Sequence, residues 1–217
     1  MIALVVSKRD AEKRFTAIGV RDSKLLRPKR REELYGQIKK LSLEVKVDCI
    51  EPGEINEAMR RRISLNELEA IHFAKLFDQV ENEVGAFYLD SPDVIAEKFG
   101  VRVNMSSARA ARVNGIKADR PNARRATRIV SEHKADSRYP IVSAASIIAK
   151  VTRDREMRKI EHKLGIKIGS GYPSDFSTVD AVREHMNESA FLEHLREYWS
   201  TMDNIRQTRI TSFVRPH

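Results

Sequence analysis

Short apolar segments alternate with longer amphipathic segments along the 217-residue chain. Ile2–Val6 is a continuous aliphatic run, which predicts a strand buried on both faces. Ser42–Ile50 alternates apolar and polar residues, as a half-buried strand does. Ala86–Leu89 and Ile129–Val130 predict two further short strands. Because helical segments lie between these strands, the order of elements predicts an α/β fold.

Three of the longer segments carry helix signals. Pro28–Leu41 starts with proline, which suits a first helical turn, and repeats aliphatic residues on one face. Ser64–Val80 opens with capping-box spacing, a serine followed three residues later by a glutamate. Pro140–Leu164 also has proline at its start, and glycine follows its end. Two shorter amphipathic segments, Thr178–Asn187 and Ala190–Trp199, predict a helical C-terminal region.

The chain is basic, with a formal net charge of +9. Lys and Arg gain free energy when they displace counterions from phosphates, so this charge favours a polyanionic partner such as nucleic acid. An ordinary basic protein is the alternative. Val101–Val130 holds eight Lys or Arg residues and a single acid, Asp119. We expect a strand at Val101–Asn104 within a basic loop, which is either solvated or lies along a nucleic-acid backbone.

Cysteine content and hydropathy bear on the compartment. Cys49 is the only cysteine, so no disulfide forms within the chain, which fits a reducing cytoplasm. The apolar start is too short for a signal peptide, and no apolar run reaches the length needed to cross a bilayer. We therefore expect a cytoplasmic protein with no membrane partner, and we expect a monomer.

Two aspartates follow predicted strands. Asp90 ends the segment Ala86–Leu89, and Asp136 comes shortly after Ile129–Val130. Functional residues of open α/β sheets cluster at the carboxyl ends of strands, where carboxylates can hold a hard cation such as Mg²⁺. Each aspartate could instead cap the helix that follows it, and on position alone capping is the better interpretation of Asp90. On spacing alone, the pair is a weak indication of a two-metal nuclease.

Five segments carry a resemblance to a known family. In chain order they are Gly19–Leu34 (GVRDSKLLRPKRREEL), Glu54–Ala70 (EINEAMRRRISLNELEA), Tyr88–Asp93 (YLDSPD), Glu132–Glu156 (EHKADSRYPIVSAASIIAKVTRDRE) and Gly169–Asp175 (GSGYPSD). In these segments the chain resembles ribonuclease HII, particularly its archaeal branch. The resemblance implies a ribonuclease H-like α/β fold, a mixed sheet flanked by helices, with a C-terminal helical region. We expect a catalytic domain over residues 1–164 and a C-terminal region and tail over 165–217.

The resemblance also implies an activity in DNA replication and repair. It is endonucleolytic cleavage of the RNA strand of RNA–DNA hybrids, including ribonucleotides embedded in DNA. Two Mg²⁺ or Mn²⁺ ions, held by a carboxylate cluster, would activate water and stabilise the leaving 3′ oxygen. Two alternatives stay open: a catalytically dead relative that still binds hybrids, and a basic RNA-binding protein of ribosomal type whose matches are accidental.

Matched motifs assign roles to individual residues. Asp90 and Asp136 match catalytic carboxylates that hold the metal ions. Tyr172 matches the tyrosine that packs against the deoxyribose at an RNA-to-DNA junction, where it rejects a 2′-hydroxyl. Ser23 and Lys24 match a motif whose hydroxyl and ammonium groups suit phosphate contacts.

One part of the family pattern is missing. Family members begin with a strand ending in Asp-Glu-Ala-Gly-Arg-Gly, which supplies two of four carboxylates, whereas Met1–Val6 matches the strand that follows it. Either the chain is a shortened reading of a longer enzyme, or the gene has lost this segment. We expect little or no hydrolysis by the 217 residues alone, because two carboxylates poorly offset the repulsion between two divalent ions. We also expect reduced stability, because buried strand edges lose a partner.

The C-terminal tail contains a second short motif. Gln207, Ile210 and Phe213 have the spacing of the peptide that docks onto the replication sliding clamp. Ile210 and Phe213 would fill an apolar pocket, and Gln207 would hydrogen-bond beside it. Val214 stands where a second aromatic residue is usual, and an ordinary tail that packs on the domain is the alternative.

Overall fold

The computed structural model of the protein describes residues 1–113, 128–198, 202, 203 and 205. Within these residues the strands are β1 (Ile2–Val6), β2 (Glu44–Asp48), β3 (Ala86–Asp90) and β4 (Arg128–Glu132). The helices there are α1 (Ala11–Ala17), α2 (Pro28–Leu41), α3 (Pro52–Arg60), α4 (Leu65–Asp78), α5 (Ala96–Val113), α6 (Ala135–Arg138), α7 (Pro140–Leu164), α8 (Phe176–His185) and α9 (Ser189–Leu192). No helix in these described ranges is long and apolar enough to cross a membrane.

The four strands form two hydrogen-bonded pairs. β1 and β2 are antiparallel, with Ile2 opposite Asp48. β3 and β4 are parallel, with Asp90 opposite Glu132. The chain thus combines parallel and antiparallel pairing with helices, which confirms the α/β class. In the described part of the chain the two pairs are not joined into one continuous sheet.

The chain divides into two compact units. The first contains residues 1–50 and 64–152, and the second contains residues 51–63 and 153–217 as far as they are described. Helix α3 therefore belongs to the second unit, although its chain neighbours α2 and α4 belong to the first. The boundary that we expect after residue 164 stays a prediction.

β1 lies between two apolar clusters of the first unit. Its residues Ile2, Leu4 and Val6 pack with α4, β3 and α5. Ala3 and Val5 pack with α1, α2 and α7. Both faces of β1 are buried, as the continuous aliphatic run predicts.

The second unit has its own core and a buried polar link. Ile168, Val182 and Phe191 belong to one apolar cluster. Asn56 on α3 is buried, donates to the carbonyl of Leu195 at 2.9 Å and accepts from the backbone N–H of Glu197 at 2.9 Å. Because both of its amide groups are paired, Asn56 fixes α3 against the segment that follows α9.

Three expectations about elements are wrong. Val101–Asn104 is not a strand but part of α5, where Phe99 and Val103, four residues apart, are both fully buried. The basic segment is accordingly helix up to Val113 and strand from Arg128, and residues 114–127 lie outside the described residues. Only Ser189–Leu192 of the last expected helix is helical among the residues described there.

Candidate metal and nucleic-acid site

Asp90 is the last residue of β3. Its Oδ1 accepts the backbone N–H of Ala135 at 3.0 Å, and Ala135 is the first residue of α6. The neighbouring Ser91 N–H donates to the carbonyl of Glu132 at 3.0 Å, so the parallel pairing continues to this point. Asp90 therefore does not cap the helix that follows it in the chain. It accepts an orphan amide from the helix that follows β4.

Asp136 lies in α6 and is buried, with 6% of the residue exposed. The Ser143 hydroxyl of α7 donates to the Asp136 carbonyl, which fixes α6 against the start of α7. The turn into α6 requires Lys134 to adopt a left-handed conformation with φ 56°. The Lys24 ammonium lies 3.9 Å from Asp136 Oδ2, while the Lys24 side chain is 81% exposed.

The negative charge of Asp136 acts on the Asp90 carboxyl. The pKa of the Asp90 carboxyl is raised, chiefly because the group is buried; the Ala135 N–H opposes this shift, and the negative charge of Asp136 adds to it. Two acidic groups close together at a strand end form a negative site that a hard cation would stabilise. No group of three or more His, Cys, Asp or Glu side chains suited to a metal occurs in the described parts of the chain. The described part of this site thus contains two carboxylates.

Ser23 and Lys24 lie in a short 3₁₀ turn, Ser23–Leu25. Asp22 caps this turn by accepting the Lys24 N–H at 2.9 Å. Ser23 is buried, and its hydroxyl shares a hydrogen bond of 2.9 Å with Ser146 of α7. Buried Arg31 of α2 donates to the carbonyls of Ser23 and Leu26 at 3.3 and 2.7 Å, and these two hydrogen bonds fix the turn on α2. The turn therefore directs Lys24, rather than Ser23, to the surface.

A cavity of about 1140 Å³ lies between β1 and β3. One face of α7 also lines it, and Asp90 and Asp136 are among its lining residues. β1 pairs with β2 on its other side, and no described strand fills the space. The carboxylate pair is thus accessible from a large concave surface.

Tyr172 lies in the second unit, on a loop that ends at α8. Asp175 holds this loop by accepting the N–H groups of Ser170 and Ser177 at 2.7 and 3.0 Å. The Asp175 N–H donates back to the carbonyl of Tyr172 at 3.0 Å, which closes a tight turn. Tyr172 is 41% exposed, and the guanidinium of Arg153 stacks on its ring, 3.9 Å from the centroid.

The structure brings some of the expected site residues together. Asp90, Asp136 and Lys24 lie close to one another, and Ser23 supports the turn that carries Lys24. Tyr172 belongs to the other compact unit. The expected clamp-binding residues Gln207, Ile210 and Phe213 fall outside the described residues. The sequence gives Ser146 and Arg153 no role, although both lie in the matched segment Glu132–Glu156, because the residues that they contact are distant in the chain.

Comparison with known proteins identifies the family. The model of the family Ribonuclease HII matches residues 1–202. The chain belongs to the ribonuclease HII family. Ribonuclease HII of Methanosarcina barkeri is 37% identical over 194 residues, which cover 88% of this chain and 80% of the relative. The resemblance that we noted in the sequence is confirmed, and the family is one of endonucleases for RNA–DNA hybrids.

Solved ribonuclease HII structures share the fold. The ribonuclease H2 of Pyrococcus horikoshii superposes with a TM-score of 0.75 at 32% identity, covering 95% of this chain and 93% of that one. Ribonuclease HII of Archaeoglobus fulgidus, solved as a complex with PCNA, gives a TM-score of 0.73 at 33% identity, covering 94% and 87%. The expected ribonuclease H-like architecture is therefore confirmed.

Proposed function

We propose that this protein hydrolyses the RNA strand of RNA–DNA hybrids, and DNA strands with embedded ribonucleotides, at the Asp90–Asp136 pair. The juxtaposition of these two carboxylates, one at the end of β3 and one in α6, carries the proposal. Their hard oxygen atoms suit Mg²⁺ or Mn²⁺. When bound, two such ions supply an activated water and stabilise the leaving 3′ oxygen, which gives 5′-phosphate and 3′-hydroxyl products.

Other residues of the chain bind and position the substrate in this proposal. Exposed Lys24 lies beside Asp136, where its ammonium can meet a phosphate that approaches the carboxylates. Ser23 holds the turn of Lys24 through its bond to Ser146. Tyr172, partly exposed on a well-braced loop, packs against the deoxyribose at the RNA-to-DNA junction and excludes a 2′-hydroxyl there.

The experiment that tests the site compares Asp90→Asn and Asp136→Asn with the unchanged protein. A labelled hybrid is incubated with Mg²⁺ or Mn²⁺, and cleavage and binding are measured separately. We expect both variants to lose metal binding, together with any cleavage that the unchanged protein shows, but to keep hybrid binding, because a neutral amide is a poor ligand for a divalent ion. Asp180→Asn, an exposed aspartate on α8, is the control and should change nothing. Unchanged metal binding in both site variants would overturn the assignment.

The second candidate function is a hybrid-binding module without catalysis. It is favoured by the carboxylate count, since the site contains two such groups in the described residues and two close divalent ions repel each other. In this second candidate the 217 residues alone cleave little or not at all. Tight hybrid binding without product in Mg²⁺ and Mn²⁺ would support the module. Multiple turnover by this chain would refute it, and a chain that neither binds nor cleaves would refute both candidates.

We also propose a sliding clamp as a protein partner. The support is that the ribonuclease HII of Archaeoglobus fulgidus was solved in a complex with PCNA. Gln207, Ile210 and Phe213 are the proposed anchors. Phe213→Ala should abolish clamp binding in a pull-down or by calorimetry, whereas Thr211→Ala, between the two apolar anchors, should preserve it. If both variants bind the clamp equally well, the tail is not a clamp-binding peptide.

The remaining expectations concern the state of the protein in the cell. We propose a cytoplasmic monomer, and the support is the single exposed cysteine, Cys49, together with the family of DNA-acting enzymes. Light scattering on the purified chain measures its mass directly, and a dimer would contradict the proposal.

A further inference from the structure

The guanidinium of Arg153 packs against one face of the Tyr172 ring. The guanidinium carbon of Arg153 lies 3.9 Å from the centroid of the tyrosine ring. The Arg153 side chain is 22% exposed, so it is largely enclosed by the protein, while Tyr172 is 41% exposed. The arginine thus covers part of the ring and leaves a substantial area of the tyrosine for a ligand.

A second contact ties Arg153 to the backbone of the same loop. Its Nη2 donates to the carbonyl of Ser170 at 2.7 Å. The same nitrogen lies 3.0 Å from the position of a Cβ at Gly171, and Met157 of α7 fills the rest of that space. Gly171 has φ 70° and lies directly before Tyr172. Arg153 therefore contacts both the ring and the backbone that leads to it.

The rest of the loop is braced without Arg153. Glu161 accepts the N–H groups of Ile168 and Gly169 at 2.8 and 2.9 Å, and the Thr178 hydroxyl accepts that of Gly171 at 2.9 Å. These bonds hold the backbone path but do not touch the tyrosine ring. The Arg153 guanidinium, by contrast, lies over the tyrosine ring itself and restrains its orientation.

We propose that Arg153 is a positioning residue that holds the Tyr172 ring in the orientation needed to read the sugar at an RNA-to-DNA junction. This role rests on the proposed function of Tyr172. A planar guanidinium can stack on the ring and donate to Ser170 at the same time, which a lysine ammonium cannot do in the same geometry. Holding the ring before the nucleic acid arrives removes an ordering cost from binding.

The test measures junction preference in metal-free buffer, so that it does not depend on cleavage. The ratio of dissociation constants is measured for an all-DNA duplex and a duplex with one embedded ribonucleotide. Arg153→Gln and Arg153→Lys should each reduce this ratio roughly fivefold, the size of one cation–π contact. Arg183→Gln removes an equal charge from exposed α8 and should weaken both duplexes alike, leaving the ratio unchanged.

A double-mutant cycle separates positioning from general damage. Tyr172→Ala should abolish the preference, and adding Arg153→Gln to it should cause no further loss, because the arginine acts through the ring. A preference that is lost in Tyr172→Ala but intact in both Arg153 variants overturns the inference alone. A preference that survives Tyr172→Ala overturns the proposed role of Tyr172, and the inference with it. If thermal melts show Arg153→Gln to be unfolded, Arg153→Lys decides.

Discussion

Glu44, at the start of β2, accepts several hydrogen bonds from the segment that follows α4. Its oxygens accept the backbone N–H groups of Glu81 and Asn82 at 3.0 and 2.7 Å and the Asn82 side-chain amide at 2.5 Å. The Lys46 ammonium lies 3.3 Å away. Burial by itself raises the pKa of Glu44, but these donors outweigh it and hold the pKa at about 2. Glu44 thereby ties β2 to the segment between α4 and β3.

Replacing Glu44 by Gln should therefore destabilise the protein in a pH-dependent way. The pKa of Glu44 is about 2 in the folded state, below the ordinary value of 4.5. Its stabilisation is present above pH 4.5 and is lost as the pH falls towards 2. At pH 7 we expect Glu44→Gln to lower the free energy of unfolding by about 1–3 kcal/mol, and urea unfolding at several pH values measures it.

Glu33→Gln provides the control for this experiment. Glu33 lies on the surface of α2 and pairs with Arg30 at 3.0 Å, both side chains being more than 40% exposed. Such a pair contributes little, so the control should change stability by less than about 1 kcal/mol. A difference between Glu44→Gln and the unchanged protein that stays constant from pH 7 to pH 2.5 would contradict the assignment.

At the scale of elements, the loop before α8 depends on Gly169 as well as on Gly171. Gly169 has φ 79°, and a Cβ there would lie 2.7 Å from Asp175 Oδ2, the oxygen that accepts the Ser170 N–H. Gly169→Ala should cost about 1–2 kcal/mol for the left-handed backbone and should also displace Asp175. Gly36, inside α2, has open space around its Cβ position. Gly36→Ala should instead raise stability by about 0.5–1 kcal/mol, as measured by urea unfolding.

The elements that the sequence predicts well have local signals at their ends. α2 and α7 begin at Pro28 and Pro140, and Ser64 caps α4 by accepting the Glu67 N–H, each as expected. α3 was not predicted, because Pro52 followed by glycine is also typical of a turn. α5 was mistaken in part for a strand, because a short run such as Val101–Asn104 has no decisive period.

In the candidate site, too, residues with a local sequence signal could be predicted, whereas contacts between residues distant in the chain could not. Asp90 and Asp136 could be located because each follows a strand, and strand ends gather functional side chains. The bond between Ser23 and Ser146 joins residues 123 positions apart, so no local pattern reveals it. The stack of Arg153 on Tyr172 is hidden for the same reason, since it depends on how the loop folds back on α7.

At the scale of the whole molecule, the net charge of +9 has a measurable consequence. Each phosphate neutralised by Lys or Arg releases counterions, so the logarithm of the hybrid binding constant should fall linearly with the logarithm of salt concentration. Between 50 and 200 mM salt, we expect a loss of about a thousandfold if six phosphates are contacted. Fluorescence anisotropy with a labelled hybrid measures the slope. A binding constant independent of salt would exclude a backbone-tracking interface.

Lys24 makes this prediction specific. Lys24→Gln should make the slope shallower by about one phosphate equivalent. Lys159→Gln, which removes an exposed charge on α7 that is paired with Glu156 at 2.7 Å, is the matched control and should alter the slope less. Equal slopes for the two variants would contradict a phosphate contact by Lys24.

The cavity beside β1 has a consequence for amide exchange kinetics. In an antiparallel pair, alternate backbone N–H groups of a strand point to the partner, and the others point away from it. β1 has β2 on one side and the cavity on the other, so deep burial of its side chains does not protect every amide equally. Hydrogen-exchange rates of the backbone amides along Ile2–Val6 should therefore alternate with a period of two. Amides that point to β2 should exchange slowly, and amides that point to the cavity should exchange fast.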